Sequence, residues 1–226
     1  VFTLIIVVFY TFFGGFKAVS ITDAFQGLLM FCVLVSIPVV AYLNLDLPSD
    51  TNLIKEISKL DANHLNPFRD QTFWGILGLL AWGFGYFGQP HIFVRSMAIR
   101  DSKELAKARS IGIGWMTIGL LGAIMSGLIG FVYFSQRGGL SDPETVFLKL
   151  GELLFPPFFI GIIISAVLSA IMSTTSSQLL VTSSSVTKDF IFAFYKKEVS
   201  QNTQTAISRY AVVVVAIIAT VLAFIS

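Results

Sequence analysis

Charge is what this sequence has least of. Asp, Glu, Lys and Arg make up only 12% of its 226 residues, while 55% come from the hydrophobic set and the mean hydropathy is +0.81. A soluble domain carries about twice that share of charge, and so little cannot coat a water-facing surface of this size. Disordered chains, coiled coils and ordinary cytosolic enzymes are excluded on that ground. A net charge of +2 leaves no footprint for nucleic acid. The single cysteine, Cys32, sits inside an apolar run, which excludes a disulfide framework and a cysteine-rich metal site; its expected role is that of a small buried hydrophobe. Catalytic groups are missing too. There is no Ser-His-Asp constellation, no HExxH pair, no phosphate-binding loop with its lysine, and no carboxylate pair inside an apolar segment. His64 lies in a polar loop and His91 follows a proline without a second ligand, so neither suggests a metal centre. An enzyme is not expected, nor an organic cofactor. Residue 1 is Val, residues 1–13 lack the basic leader and cleavage pattern of a signal peptide, and residues 210–226 stay apolar to the last position. Both ends read as cuts through hydrophobic segments of a longer protein.

What is present is a series of long apolar runs. A bilayer-spanning helix needs about 20 such residues, and helices are expected because unpaired backbone groups are too costly in lipid. The runs are apolar all round, unlike the alternating ten-residue strands of a barrel. They predict an all-α polytopic membrane protein, a single transmembrane domain over 1–226 with about six transmembrane helices. Their bounds are 1–14, 22–43, 73–97, 111–134, 157–193 and 206–226. Segments 15–22, 95–110 and 187–209 hold ten Lys and Arg residues against five in loops 44–72 and 135–156. The bias alternates as six crossings require, and it places the first set on the cytoplasmic side. Loop residues 49–60 and 141–154 carry short amphipathic patterns of their own. Ser141 with Glu144 reads as a capping box with Pro143 in the first turn, and Ser20 with Asp23 as another ahead of the second span.

Two spans carry residues that an inert bundle does not need. The third contains Ala81-Trp82-Gly83-Phe84-Gly85-Tyr86-Phe87-Gly88-Gln89-Pro90-His91. Glycine weakens a helix and proline removes a donor, so a break is expected near Gly85–Pro90. Broken helices at membrane depth persist where they line a cavity. Trp82 and Tyr86 are four apart and share a face, offering aromatic surface with N–H and O–H donors to a small amphipathic solute; a packing kink with interfacial aromatics is the other reading. Gly83, Gly85 and Gly88 also fit G-x-G-x-x-G, but without the preceding strand and following acidic residue the match is discarded. In the fifth span, Ser165, Ser169, Ser173 and Ser176 step by four, four and three along one face, overlapped by Ala166, Ala170, Ser173 and Ser177. Small residues of this kind let helices approach closely. Ser173-Thr174 also adds two hydroxyl oxygens one turn after Ala170, ligands suited to a hard cation. The residues alone leave packing and an ion site both open. In the fourth span Gly122, Ser126 and Gly130 form a seam assigned to packing. No charge is expected inside a span, which argues against a proton relay.

At the third and fifth spans the sequence resembles the sodium/solute symporter family. The resemblance is carried by Ala81–Ile92 with Arg95 and Met97, by Ser169-Ala170-Ile171-Met172-Ser173-Thr174 with Ser177-Gln178-Leu179-Leu180, and by Tyr10-Thr11-Phe12, Gly14-Gly15-Phe16, Ala18-Val19-Ser20, Thr22-Asp23 and Gln26. It implies part of a core of five-plus-five inverted repeats: the last two helices of the first repeat and the first four of the second. It further implies sodium-coupled symport of a small solute across the plasma membrane, a bacterial inner membrane, with Na⁺ as coupling ion and L-proline as the favoured solute. By the resemblance, the Ala170 carbonyl and the Ser173 and Thr174 hydroxyls are sodium ligands. Trp82, Tyr86 and Pro90 line or shape the solute site, and Asp23 is a loop aspartate implicated in transport. The remaining sodium carbonyls belong to a first core helix outside this chain. The alternatives are a symporter of the same family for pantothenate, a sugar or an organic acid, and the transporter-like membrane domain of a sensor protein.

Overall fold

The first helix, α1 (Phe2–Leu43), cannot be straight. At Gly15 the backbone turns to φ 55°, ψ −150°, a region that side chains exclude and glycine alone occupies freely. Tyr10 comes against Thr22 and Gln26, which a straight helix would hold about 18 and 24 Å further along its axis. A Cβ on Gly14 would fall 2.1 Å from the Cβ of Ala18, although such residues in a continuous helix stand about 5–6 Å apart. The chain therefore folds back at Gly14-Gly15, and the two apolar runs expected as separate spans are the two arms of α1. The second arm begins six residues before the expected start at Thr22. Ser20 is already inside it, its hydroxyl donating to the Phe16 carbonyl. Ser20 and Asp23 therefore form no capping box, and Asp23 belongs to a helix and not, as expected, to a loop. The reason is local: a glycine pair reverses the chain within about one residue, so no loop is needed.

The structure, a computed structural model, describes residues 2–99, 101–194 and 200–225. Arg100, Lys196 and Lys197 of the cytoplasmic charge set, with terminal residues Val1 and Ser226, lie outside the described residues. After α1 come α2 (Leu53–Leu60), α3 (Phe73–Gly85), α4 (Pro90–Met97), α5 (Ser102–Ser135), α6 (Val146–Leu154), α7 (Pro157–Ser185), a single turn α8 (Phe192–Phe194) and α9 (Gln201–Ile225). A π-helical stretch, Val186–Ile191, joins α7 to α8. No strand occurs among the described residues. Four helical stretches, Phe2–Leu43, Ser102–Ser135, Pro157–Asp189 and Gln201–Ile225, are long and apolar enough to cross a bilayer. Phe2, Phe73, Trp74, Phe158 and Phe224 are each more than 70% exposed, an apolar surface suited to acyl chains and unsuited to water. The loop helices form where the amphipathic patterns place them. Asn52 caps α2, and Leu53 and Ile57 are its buried face. Ahead of α6 the cap is Asp142, which accepts from the Glu144 N–H, and not Ser141; a carboxylate one residue from the turn is the stronger acceptor.

The chain divides into two compact units. The first comprises Val1–Met30, Pro90–Ala98 and Ala166–Ser226. Its apolar centre is Val7, Leu179 and Ala216, packed by Leu4, Val8, Tyr10, Met172 and Val215. The second comprises Phe31–Gln89 and Ile99–Ser165, and it uses the small-residue seam of α5 as expected. Gly122, Ser126 and Gly130 are buried. A Cβ on Gly122 would fall 2.5 Å from the Leu34 carbonyl oxygen, and one on Gly130 2.2 Å from Val146. Any side chain at either position would force the helices apart, because close-packed interiors do not absorb extra methyl groups freely.

Candidate functional site

The third apolar run breaks where its glycines and proline place the break. α3 ends at Gly85, a 3-10 turn covers Tyr86–Gly88, Gln89 is extended at φ −78°, ψ 109°, and α4 starts at Pro90. Pro90 imposes this: its ring has no N–H to continue the helix and drives Gln89 out of the helical region. The Trp82 and Tyr86 rings lie on one face with centroids 5.9 Å apart, and both are exposed. Apart from the adjoining residues and the helix's own backbone, no described atom lies within 4 Å of where a Cβ on Gly83, Gly85 or Gly88 would sit. Close packing within this chain does not account for these glycines.

Ala170, Ser173, Thr174 and Asp23 belong to the first unit. On α7 the Ser173 and Thr174 hydroxyls both donate to the Ala170 carbonyl at 3.1 Å. Three neutral oxygens thus cluster on one turn, with the hydroxyl lone pairs left free to face outward. Around them Ala166, Ser169, Ser176 and Ser177 are buried, Ser173 is half-buried and Thr174 exposed. The stripe is therefore divided: its flanks pack, while Ser173 and Thr174 keep an open side. Ser165, expected on the same face, is exposed and donates only to the Gly161 carbonyl.

Asp23 is held by a group the sequence does not pair with it. Arg95, on α4 five residues after Pro90, forms an ion pair with Asp23 and also donates to Ser177. The Ser176 and Ser177 hydroxyls stand 3.4 Å from the Asp23 carboxylate and share their protons between it and the Ser173 carbonyl, at 3.0 and 2.8 Å. The Asp23 side chain is only 8% exposed. A buried carboxylate is stable only when paired and hydrogen-bonded, and this one is both. Asp23 lies in the second arm of α1 and is neutralised by Arg95. Nearby, the Tyr10 hydroxyl faces Ser176, Thr22 and Gln26, and Tyr10 and Gln26 each keep a buried polar atom without a normal hydrogen bond. In the sequence Arg95 marks topology and the family motif, and nothing pairs it with Asp23, 72 residues away.

The model of the sodium:solute symporter family matches residues 1–226. The chain is 48% identical over 220 residues to the high-affinity proline transporter PutP of Bacillus subtilis, covering 97% of this chain and 46% of that protein. It is 48% identical over 218 residues to sodium/proline symporter 2 of Staphylococcus saprophyticus, covering 95% and 42% respectively. With the sodium/proline symporter of Staphylococcus aureus it shares 47% identity over 223 residues, covering 97% and 43%. The chain therefore spans less than half the length of these relatives. No solved structure matches it.

Proposed function

Because the chain belongs to the sodium:solute symporter family, we propose that it supplies part of the ion site and part of the solute site of a sodium-coupled symporter for L-proline. The single observation that supports this most is the oxygen cluster of Ala170, Ser173 and Thr174, and the names of the three relatives favour proline as the solute. In this reading the three oxygens hold Na⁺, since a hard cation takes neutral oxygen ligands readily. Ligands from outside residues 1–226 complete the shell. L-Proline rests its pyrrolidine ring on Trp82 and Tyr86, and Pro90 fixes the break that leaves backbone groups free for its polar end. Asp23 and Arg95 anchor α4 to α1 and α7, so that the segment after the break is fixed to the helix bearing the ion ligands. A five-plus-five repeat core and six spans in this stretch belong to the same proposal.

The energetics are sufficient. One inward charge at about −100 mV contributes roughly 2.3 kcal/mol, and a tenfold sodium gradient adds about 1.4 kcal/mol. Together they support an accumulation ratio on the order of several hundred. Solute identity is tested by competition against labelled L-proline in membrane vesicles carrying the full-length protein. Unlabelled L-proline should compete, and pantothenate, glucose and acetate should not. Trp82→Ala should raise the KM for L-proline about tenfold, equivalent to about 1.4 kcal/mol, with protein abundance unchanged. Stronger competition by pantothenate or a sugar would reassign the solute within the family.

A further inference from the structure

From Phe73 to Pro90 no residue is charged, and Gln89 carries the only side-chain amide. It stands at the break itself. Its backbone N–H closes the 3-10 turn on the Tyr86 carbonyl at 3.3 Å. Such a turn has three residues, so side chains three apart eclipse, and Gln89 falls on the side of Tyr86. Trp82, one helical turn earlier, shares that side with Tyr86. Steps of four and three thus set two aromatic rings and one amide in a line. All three residues are exposed and belong to the second unit. The Gln89 amide has no hydrogen-bond partner among the described residues.

In the proposed reading this run lies at membrane depth. An unpaired polar side chain is costly there, and it is kept where a ligand or another helix takes its bonds. A carboxamide offers an acceptor oxygen and an NH2 donor without any charge. L-Proline is a zwitterion of zero net charge: its secondary ammonium donates and its carboxylate accepts. The two sets are complementary, and the rings of Trp82 and Tyr86 adjoin the amide as the pyrrolidine carbons adjoin the polar end. A carboxylate without an ammonium is a net anion. The uncharged stretch from Phe73 to Pro90 gives it no fixed cation to offset its lost hydration.

We infer that Gln89 sets solute specificity by reading the amino-acid zwitterion, its amide oxygen accepting from the solute ammonium and its NH2 donating to the solute carboxylate. This rests on the solute site proposed at Trp82 and Tyr86.

The test is competition against labelled L-proline uptake in vesicles carrying the full-length protein. The probes are cyclopentanecarboxylate, which keeps the ring and the carboxylate but has no nitrogen, and L-prolinamide, which keeps the ammonium but has no carboxylate. In wild type, cyclopentanecarboxylate should compete on the order of a hundredfold more weakly than L-proline. Gln89→Leu should raise the KM for L-proline about tenfold with kcat little changed, and narrow that gap about tenfold, because only L-proline loses the ammonium bond. Gln89→Glu keeps the acceptor and replaces the donor with negative charge, so competition by L-prolinamide relative to L-proline should strengthen. Should Gln89→Leu not reach the membrane, Gln89→Glu carries the comparison. An unchanged KM and analogue ratio in Gln89→Leu, a fall in abundance with the ratio unchanged, or a wild-type preference in Gln89→Glu would overturn the inference. Trp82→Ala separates the two readings. If it raises the KM and Gln89→Leu does not, the role of Gln89 alone is rejected; if neither does, the solute site at the break fails with it.

Discussion

Changing Ser173 and Thr174 together to alanine should raise the sodium concentration that half-maximally stimulates L-proline uptake on the order of a hundredfold, about 2.7 kcal/mol. Each single change should account for roughly a tenfold shift. The reasoning runs from the geometry of α7. Both hydroxyls meet the Ala170 carbonyl at 3.1 Å, so removing them deletes two of the three oxygens proposed as cation ligands and leaves the backbone in place. Alanine is a good helix former and fills no new space, so abundance and thermal stability should change little. The measurement is sodium-dependent initial uptake in vesicles carrying the full-length variants, normalised to protein amount. If the two hydroxyls only help helices pack, sodium dependence will follow abundance and the apparent sodium affinity will stay as in wild type.

Breaking the Asp23–Arg95 pair should produce the largest loss of stability. Arg95→Gln leaves a carboxylate whose side chain is 8% exposed with only the two serine hydroxyls at 3.4 Å. Removing one member of a buried pair costs about 3–5 kcal/mol. Because the Arg95 side chain is 47% exposed, the expected cost is at the low end, about 3 kcal/mol. Asp23→Asn combined with Arg95→Gln should recover much of it, since two neutral amide side chains leave no buried charge unpaired. A double-mutant cycle in thermal or denaturant unfolding of the full-length protein measures the coupling. Strict additivity would show that the pair contributes nothing beyond proximity. The pair also fixes α4 directly after the broken segment, so Arg95→Gln should weaken L-proline binding as well as stability.

The features most legible in the sequence are those whose cause is local. The break at Tyr86–Gln89 follows from three glycines and a proline whose effects act within a turn. The loop helices α2 and α6 follow from short amphipathic patterns, and the Gly122–Ser126–Gly130 seam from small residues four apart. The α7 stripe is legible as a stripe, but packing and ligation both use small hydroxyl residues at the same spacing. Only three-dimensional exposure separates Ser176, fully buried, from Thr174, exposed. Less legible is anything that depends on distance along the chain. Asp23 reads as a helix cap because Ser20 stands three residues before it. Its true partner is on α4, and charge pairing across 72 residues leaves no pattern in a single sequence. The Gly14-Gly15 pair does carry a signal, a double glycine inside an apolar run. It reads as a loop because sequence reveals conformational freedom but not the one positive φ that reverses the chain.

The central claim is that the oxygens of α7 tie solute movement to sodium. It is tested most directly in proteoliposomes containing the full-length protein, held at a fixed inside-negative voltage, with external sodium exchanged for potassium. The account predicts that L-proline enters and accumulates only with sodium outside, and that each L-proline brings an inward, sodium-carried current. Equal uptake in potassium, or uptake without accompanying charge, would contradict it.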